Sequence, residues 1–438
     1  MDASRFEQRR RRIMDTIGAD AVAIFPAAPE RMRTNDIEYP YRQHSDFYYL
    51  TGFPEPGAVC VLQPGHASDE YILFVRPRDR EKETWTGRRA GVEGAVTDFG
   101  ASMAYPIEEL DQRLPKIIAE RSQLYYAMDR DEIFTRRVMG WLEHAQLGRP
   151  RTGRGPTGLL DARSPVHEMR LHKQPDELDR MRRAIAISAE AHLAAMGEAR
   201  PGDWEYEVEA LIDYVFRRNG AVGPAYPSIV AGGANATILH YTTNDRRLGA
   251  HEMLLIDAGA EYDFYCADIT RTFPIGARFE GAQRAIYELV LAAQLAAIDA
   301  VRPGARFDEP HQRAVRTLVV GLLDLGLLEG TADEIIEKEL YKPLYMHRTS
   351  HWLGMDVHDV GLYRQDDAPR ALEPGMVLTV EPGLYIADHL TDIDPKWHGI
   401  GVRIEDDVLV TPGGNEVLTA AVPKQVDDIE AIRRDALA

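Results

Sequence analysis

Short, unbroken apolar runs are the first pattern along the chain. AVAIF (Ala21–Phe25), AVCVL (Ala58–Leu62) and YILFV (Tyr71–Val75) have the composition of buried strands. Helical periodicity fills the intervals, so residues 1–172 read as an N-terminal α/β domain. Among them HSDFYYLTGF (His44–Phe53) is aromatic-rich and expected in the core. A polar stretch, RLHKQPDELDR, begins at Arg170 and marks the boundary, with Pro175 opening a helix. Leu178, Met181, Ile185, Ala189 and Met196 form one apolar stripe on it, and Pro201-Gly202 ends it. A second helix is expected over about Glu205 to Arg218, then short strands at SIVAG and TILHY.

The next stretch, LLIDAGAEYDFYCADITRTF (Leu254–Phe273), reads as two apolar strands joined by a turn near Tyr262-Asp263. Each strand is interrupted by one aspartate. Asp257 and Asp268 lie equally far from that turn, so an antiparallel hairpin sets them opposite each other on one face. Two carboxylates on an apolar sheet repel each other and are costly to desolvate, and a bound cation is the simplest remedy.

The order then repeats. A helix from about Ala282 to Val301 stops at Pro303-Gly304, and another runs from about Pro310 to Leu325. MVLTVEPGLY (Met376–Tyr385), a long loop and GVRIEDDVLV (Gly401–Val410) follow. Again each strand-like run carries an acid, Glu381 and Glu405, and Arg403 alternates onto the face of Glu405. Residues 173–438 therefore read as an internal duplication that places four carboxylates around one centre. The segment MHRTSHWLGMDVHDVG adds His347, His351 and His358. One of the three is expected to be a ligand, the others oxyanion donors or hydrogen-bonded core residues. His240, in ILHYTTND, reads on its own as structural.

Composition narrows the chemistry. The 438 residues suffice for two domains, and 45% hydrophobic with 28% charged residues describes an ordinary globular chain. The count of 51 basic against 70 acidic residues, a net charge of −19, argues against nucleic acid as a partner. No run approaches the ~20 apolar residues that span a bilayer. The first residues, MDASRFEQRRRRIMDTI, lack an apolar signal core, so a cytoplasmic location without membrane contact is expected. Arg9–Arg12 read as the solvated face of a first helix, and Cys60 and Cys266 as buried free thiols. Four carboxylates with a histidine suit hard or borderline divalent metals, Mn²⁺ above all, with Co²⁺ or Zn²⁺ as alternatives. That is more than one cation needs, so two ions are expected, and a pair ~3.5–4 Å apart clamps the tetrahedral transition state of hydrolysis.

Together DAGAEYDFYCADITRTF, SHWLGMDVHDVG, LTVEPGLYI and GVRIEDDVLVT closely resemble the bacterial aminopeptidase P family. HSDFYYLTGFPEPGAV and WTGRRAG extend the likeness through the N-terminal half. The resemblance implies a C-terminal pita-bread catalytic domain with pseudo-twofold duplication and removal of the first residue before a proline. It implies metal ligands at Asp257, Asp268, His351, Glu381 and Glu405, with Asp268 and Glu405 bridging two ions. It moves His240 from structural to functional. His240 and His358 would contact substrate, Glu381 would shuttle the proton, and Arg403 would support the site. The family's glycine after the first histidine of HGxSHWLG is Arg348 here, a cation that would narrow the approach or pair with a peptide carboxylate. Three relatives within the superfamily compete. Prolidase shares the metal motifs, methionine aminopeptidase leaves the first 170 residues unexplained, and the metal-free creatinase type would lack the filled ligand set. A catalytically inactive peptide-binding protein of the same fold is the reading from another class. The resemblance also implies a homo-oligomer, dimer or tetramer. The exposed-looking Trp85–Arg89 segment is then either a tip over a neighbour's groove or a locally packed loop.

Overall fold

The computed structural model describes residues 3–128 and 131–438. They fall into two compact units, Met1–Met169 and Arg170–Ala438.

The first unit is built on one mixed sheet. Its elements are α1 (Ala3–Ile17), β1 (Ala21–Pro26), α2 (Ser45–Thr51), β2 (Val59–Leu62), β3 (Tyr71–Val75), α3 (Arg80–Thr86), β4 (Met103–Pro106), α4 (Leu110–Ala119), β5 (Gln123–Tyr125), α5 (Glu132–Thr152) and β6 (Gly158–Leu160). The sheet order is β4-β3-β2-β1-β5-β6. β1 runs antiparallel to β2, with Phe25 opposite Cys60, and parallel to β5. The three apolar runs are its central strands, buried along nearly their whole length. The aromatic stretch is core as expected, forming α2 with every residue buried.

One expectation for this unit fails. Arg9 and Arg10 are buried rather than solvated. They lie three and four residues beyond Phe6 and before Ile13, on the same helical face as those core side chains. Each guanidinium is stacked 3.9 Å from a ring centroid, Arg9 on Tyr49 and Arg10 on Tyr71. Arg10 also donates to the Leu50 carbonyl at 2.9 Å. Only Arg11 and Arg12 face solvent.

In the second unit the helix–helix–strands order occurs twice. α6 (Pro175–Glu198) and α7 (Glu205–Arg218) precede β7 (Ile229–Gly232), β8 (Met253–Asp257), β9 (Ala260–Tyr262), β10 (Tyr265–Cys266) and β11 (Thr270–Pro274). α8 (Gly281–Ala300) and α9 (Glu309–Asp324) precede β12 (Val377–Val380), β13 (Gly383–Ile386), β14 (Ile400–Arg403), β15 (Asp406–Thr411) and β16 (Gly414–Val417), and α10 (Val426–Leu437) closes the chain. Its main sheets are β7-β8-β11, β12-β15-β16 and the pair β13-β14. A single core joins both halves, through Ile187, Phe216, Ile256, Phe273, Val290, Leu318, Leu378, Val402 and Val408. Each such side chain contributes about 1.5–3 kcal/mol on burial, so the scaffold carries a large apolar reserve.

Two local expectations change. TILHY is not a strand. A 3₁₀ turn spans Gly233–Thr237 and irregular backbone follows, and the N–H groups that flank this stretch, those of Gly232 and Arg246, donate to a side chain, the Glu205 carboxylate. The hairpin turn is one residue later than expected, at Asp263-Phe264, both at positive φ (47° and 70°). Two such residues make the turn whose twist suits a two-residue hairpin. Asp257 consequently pairs with Thr270, not with Asp268. The register moves by two, so the side chains keep the expected face.

His192 on α6 gives this unit a pH dependence. It is fully buried and donates from Nε2 to the Ala258 carbonyl at 2.9 Å. Burial pushes its pKa down to about 4. The unfolded state therefore takes up a proton near pH 6.5 that the folded state refuses until about pH 4. Stability from this residue is complete above pH 6.5 and falls on acidification at up to about 1.4 kcal/mol per pH unit. Urea unfolding of His192→Gln between pH 7.5 and 5 should show a slope shallower by about that amount. An unchanged slope would assign the acid sensitivity elsewhere.

Candidate metal centre

The hairpin sets the first two acids. β8 ends at Asp257 and β11 begins after Asp268, and between them the chain pinches at Gly259. A Cβ at Gly259 would stand 1.8 Å from the Ala267 carbonyl oxygen, so only glycine lets the strands approach here. Tyr226 bridges the acids, its hydroxyl 2.6 Å from Asp257 Oδ1 and 2.5 Å from Asp268 Oδ1. On its other oxygen Asp257 accepts from Arg403 Nη2 at 2.6 Å. The Asp268 backbone N–H donates to Asp407 Oδ2 at 3.2 Å.

The second pair comes from the other half. Val380 pairs with Asp406 and Gly383 with Arg403, which sets Glu381 and Glu405 opposite each other where the two ladders part. Freed from the ladder, the Glu381 N–H donates to the Thr349 carbonyl at 2.9 Å and the Glu405 N–H to the Thr270 carbonyl at 3.0 Å. Thr270 Oγ1 donates to Glu405 Oε2 at 2.7 Å. An acid of the second repeat is thus held by a strand of the first. Next to it the fully buried Arg271 pairs with Asp406 at 2.7 Å and also donates to the Glu405 carbonyl.

His351 completes the cluster. Its backbone is fixed to Thr379, and its Nδ1 lies 3.0 Å from the Trp352 carbonyl. Nδ1 therefore carries the hydrogen of the neutral ring, and Nε2 points into the site. Nε2 lies 3.4 Å from Asp268 Oδ2 and 3.6 Å from Glu381 Oε1. Donor atoms of Asp268, His351 and Glu405 all fall within 4.8 Å of one another, the one such group among the described residues. Glu381 reaches it through His351, and Asp257 stands beyond Tyr226.

Of the remaining predicted residues, Arg403 and His358 stand against this centre. Arg403 is buried and donates to Asp257, to Tyr385 at 3.0 Å and to Thr270 Oγ1 at 3.2 Å. The His358 ring is exposed, 4.3 Å from the His351 ring centre. His240 is exposed on the loop after the 3₁₀ turn. Arg348 is exposed too, and its positive charge adds to the burial that lowers His311 to about 4. Two contributors escape sequence reasoning, Tyr226 and Tyr385; their one signal is a phenol placed in an otherwise apolar or small-residue strand context. His347 has a defined place as well, 2.7 Å from the Tyr385 hydroxyl and 3.8 Å from Glu381 Oε2.

Electrostatically the cluster is short of positive charge. Burial, with the neighbouring acids, pushes Glu381 up to about 8 and Glu405 well above the carboxylate range. Burial alone would lower His351, yet the Asp268 and Glu381 carboxylates beside it raise it to about 9. Each group holds a proton that a metal would displace. Buried carboxylate oxygens plus one oriented imidazole nitrogen are the donor set of a divalent cation, so the residues fit one.

Comparison with known proteins agrees. Residues 179–412 match metallopeptidase family M24, and residues 6–125 match the N-terminal domain of aminopeptidase P. The chain belongs to family M24. This M24 metallopeptidase is 45% identical to the Xaa-Pro aminopeptidase of Haemophilus influenzae, over 97% of this chain and 96% of the other. It is 44% identical to the Xaa-Pro aminopeptidase of Escherichia coli, over 98% and 97%. Among solved structures, Pseudomonas aeruginosa aminopeptidase PepP superposes with a TM-score of 0.97 at 50% identity, covering 100% and 99% of the two chains. Zinc-substituted Escherichia coli aminopeptidase P, solved with product, gives 0.95 at 44% identity over 100% and 99%. The C-terminal unit of the M24 metallopeptidase has the expected pita-bread fold.

The charge argument makes a paired prediction for Asp268→Asn. Removing one of the clustered negative charges should leave the metal-free protein at least as thermally stable as the wild type. It should weaken Mn²⁺ binding by at least ~100-fold, since loss of a supporting hydrogen bond alone costs 10–100-fold in metal sites. Calorimetric titration and thermal melts of stripped protein check both halves. Wild-type affinity in the variant would remove Asp268 from the ligand set.

Proposed function

We propose that this chain is a metal-dependent aminopeptidase that hydrolyses the bond between the first residue of a peptide and a proline in second position. The observation that carries the reading is the buried Asp268–His351–Glu405 cluster, set in a chain collinear over nearly its full length with Xaa-Pro aminopeptidases. Asp257, Asp268, His351, Glu381 and Glu405 are assigned as ligands of two divalent ions. Mn²⁺ is the best match to an oxygen-rich set with one nitrogen, and Co²⁺ or Zn²⁺ are the substitutes. When bound, such ions supply Lewis acidity toward the scissile carbonyl and lower the pKa of water.

The chain's own residues do the rest. Glu381, 3.6 Å from His351 and 3.8 Å from His347, is assigned to carry a proton from water to the leaving nitrogen. His358, whose ring stands beside His351, and the exposed His240 are assigned to the substrate, His358 as hydrogen-bond donor to the developing oxyanion. Arg403 orients Asp257 and Tyr385. A proline after the scissile bond gives a tertiary amide with restricted shape, which a pocket can select.

The same reading makes the enzyme a cytoplasmic homo-oligomer, dimer or tetramer. Its supports are two buried free cysteines, Cys60 and Cys266, and an 82% exposed Trp85 on α3, a residue type favoured at contact points. Among the described residues no helix is long and apolar enough to cross a membrane.

Metal-stripped enzyme given Mn²⁺ should release the first residue from Xaa-Pro-Yaa peptides far faster than from Xaa-Pro dipeptides. Activity on dipeptides alone would make it a prolidase. No hydrolysis of either, with metal bound, would make it a peptide-binding protein. His358→Ala should lower kcat by ~10²–10³ with metal content unchanged. Loss of an ion in that variant would instead make His358 a ligand.

A further inference from the structure

The segment that carries His240 is held by one carboxylate. Glu205, the first residue of α7, is 0% exposed. Its Oε1 accepts from the Gly232 N–H at 2.7 Å and from Asn235 Nδ2 at 2.9 Å. Its Oε2 accepts from the Tyr241 hydroxyl at 2.7 Å and from the Arg246 N–H at 2.9 Å. All four donors belong to the stretch 232–246, and the positive end of a helix favours the charge they share. Hydrogen bonds to a buried carboxylate are the strong kind, and a four-bond set is expensive to break.

A second clamp acts from the opposite side. A Cβ on Gly401 of β14 would stand 2.1 Å from the Ala236 carbonyl oxygen, so the 3₁₀ turn lies directly on the strand that carries Arg403. The segment is thus pinned at Gly232, Asn235, Ala236, Tyr241 and Arg246. Between the pins Ile238 and His240 are exposed, as are Thr242, Thr243 and Asp245.

We propose that Glu205 is a positioning residue for the reaction. Acting through Tyr241, it fixes the orientation of His240 toward the substrate. The inference rests on the assignment of His240 to the substrate. A reacting group displaced by about 1 Å can cost up to ~10² in rate, so a side chain that touches neither substrate nor metal can still set kcat.

Tyr241→Phe removes one hydroxyl and keeps the ring. It should lower kcat roughly tenfold with KM and Mn²⁺ affinity unchanged, and lower the thermal midpoint by no more than about 4 °C. Glu205→Gln should lower kcat further, because its amide group turns a donor toward donors. The deciding measurement is the double-mutant cycle. Against a His240→Ala background Tyr241→Phe should cost less than about twofold. In the metal-free protein the His240 resonance, sharp in the wild type, should broaden in Tyr241→Phe. A full tenfold loss without the imidazole, or an unperturbed His240 resonance, overturns the positioning role. If His240→Ala alone leaves kcat and KM unchanged, the assignment of His240 itself fails and the proposal falls with it.

Discussion

Mutual repulsion among buried carboxylates is the constraint around which the second unit is built. Asp257, Asp268, Glu381 and Glu405 occupy one neighbourhood with only Arg403 and His351 to offset them. At a few ångströms and low effective dielectric, such repulsion amounts to several kcal/mol. Protons on the acids and on His351 relieve it only partly. A divalent cation would relieve it further, so metal affinity here would be the converse of stress built into the fold. The apolar core in both repeats supplies the stability that lets the chain keep that stress.

Such a cluster requires that its two halves cannot drift apart. The cross-links serve that end. Thr270 in the first repeat holds Glu405 in the second by backbone and by hydroxyl. Arg271 spans the same seam to Asp406, which also accepts from Lys424, Gln294 and Thr419. This pair is completely buried and its charges are fully partnered, the condition under which a buried ion pair specifies geometry instead of merely costing desolvation. Burial would raise Asp406, yet Arg271 and Lys424 hold it far below the carboxylate range. Acids adjacent in the chain thus have opposite fates. Asp406 is neutralised by protein cations, and Glu405, bonded to Thr270, is pushed well above the carboxylate range.

Most of this design could be read along the chain because it rests on periodicity and on acids in the wrong place. Each of the four carboxylates interrupts an apolar strand, and that signal survives without coordinates. The turn position was less legible, since a one-residue choice between Tyr262-Asp263 and Asp263-Phe264 depends on which pair tolerates positive φ. The burial of Arg9 and Arg10 was hidden for another reason. A guanidinium flat on an aromatic ring is apolar enough for a core, while its letter in the sequence says surface. Glu205 was invisible because it looks like any helix-opening acid. Only the folded chain shows that its partners, Gly232, Asn235, Tyr241 and Arg246, lie within and on both sides of the stretch expected as a strand.

Arg403 shows why the two repeats share one chemistry. Its planar fork donates in three directions at once, to Asp257 of the first repeat, to Tyr385 of the second and to Thr270. The Tyr385 hydroxyl in turn meets His347 Nε2, whose ring stands beside Glu381. A continuous chain of contacts therefore runs from the far aspartate of the cluster to the histidines at its rim. Lysine could supply the charge but not the rigid planar fork that reaches three partners in fixed directions. Burial and the nearby Arg403 cation keep His347 neutral, at about 3. The neutral His347 ring thus stays a hydrogen-bonding group between Tyr385 and Glu381, beside carboxylates whose mutual repulsion favours a cation.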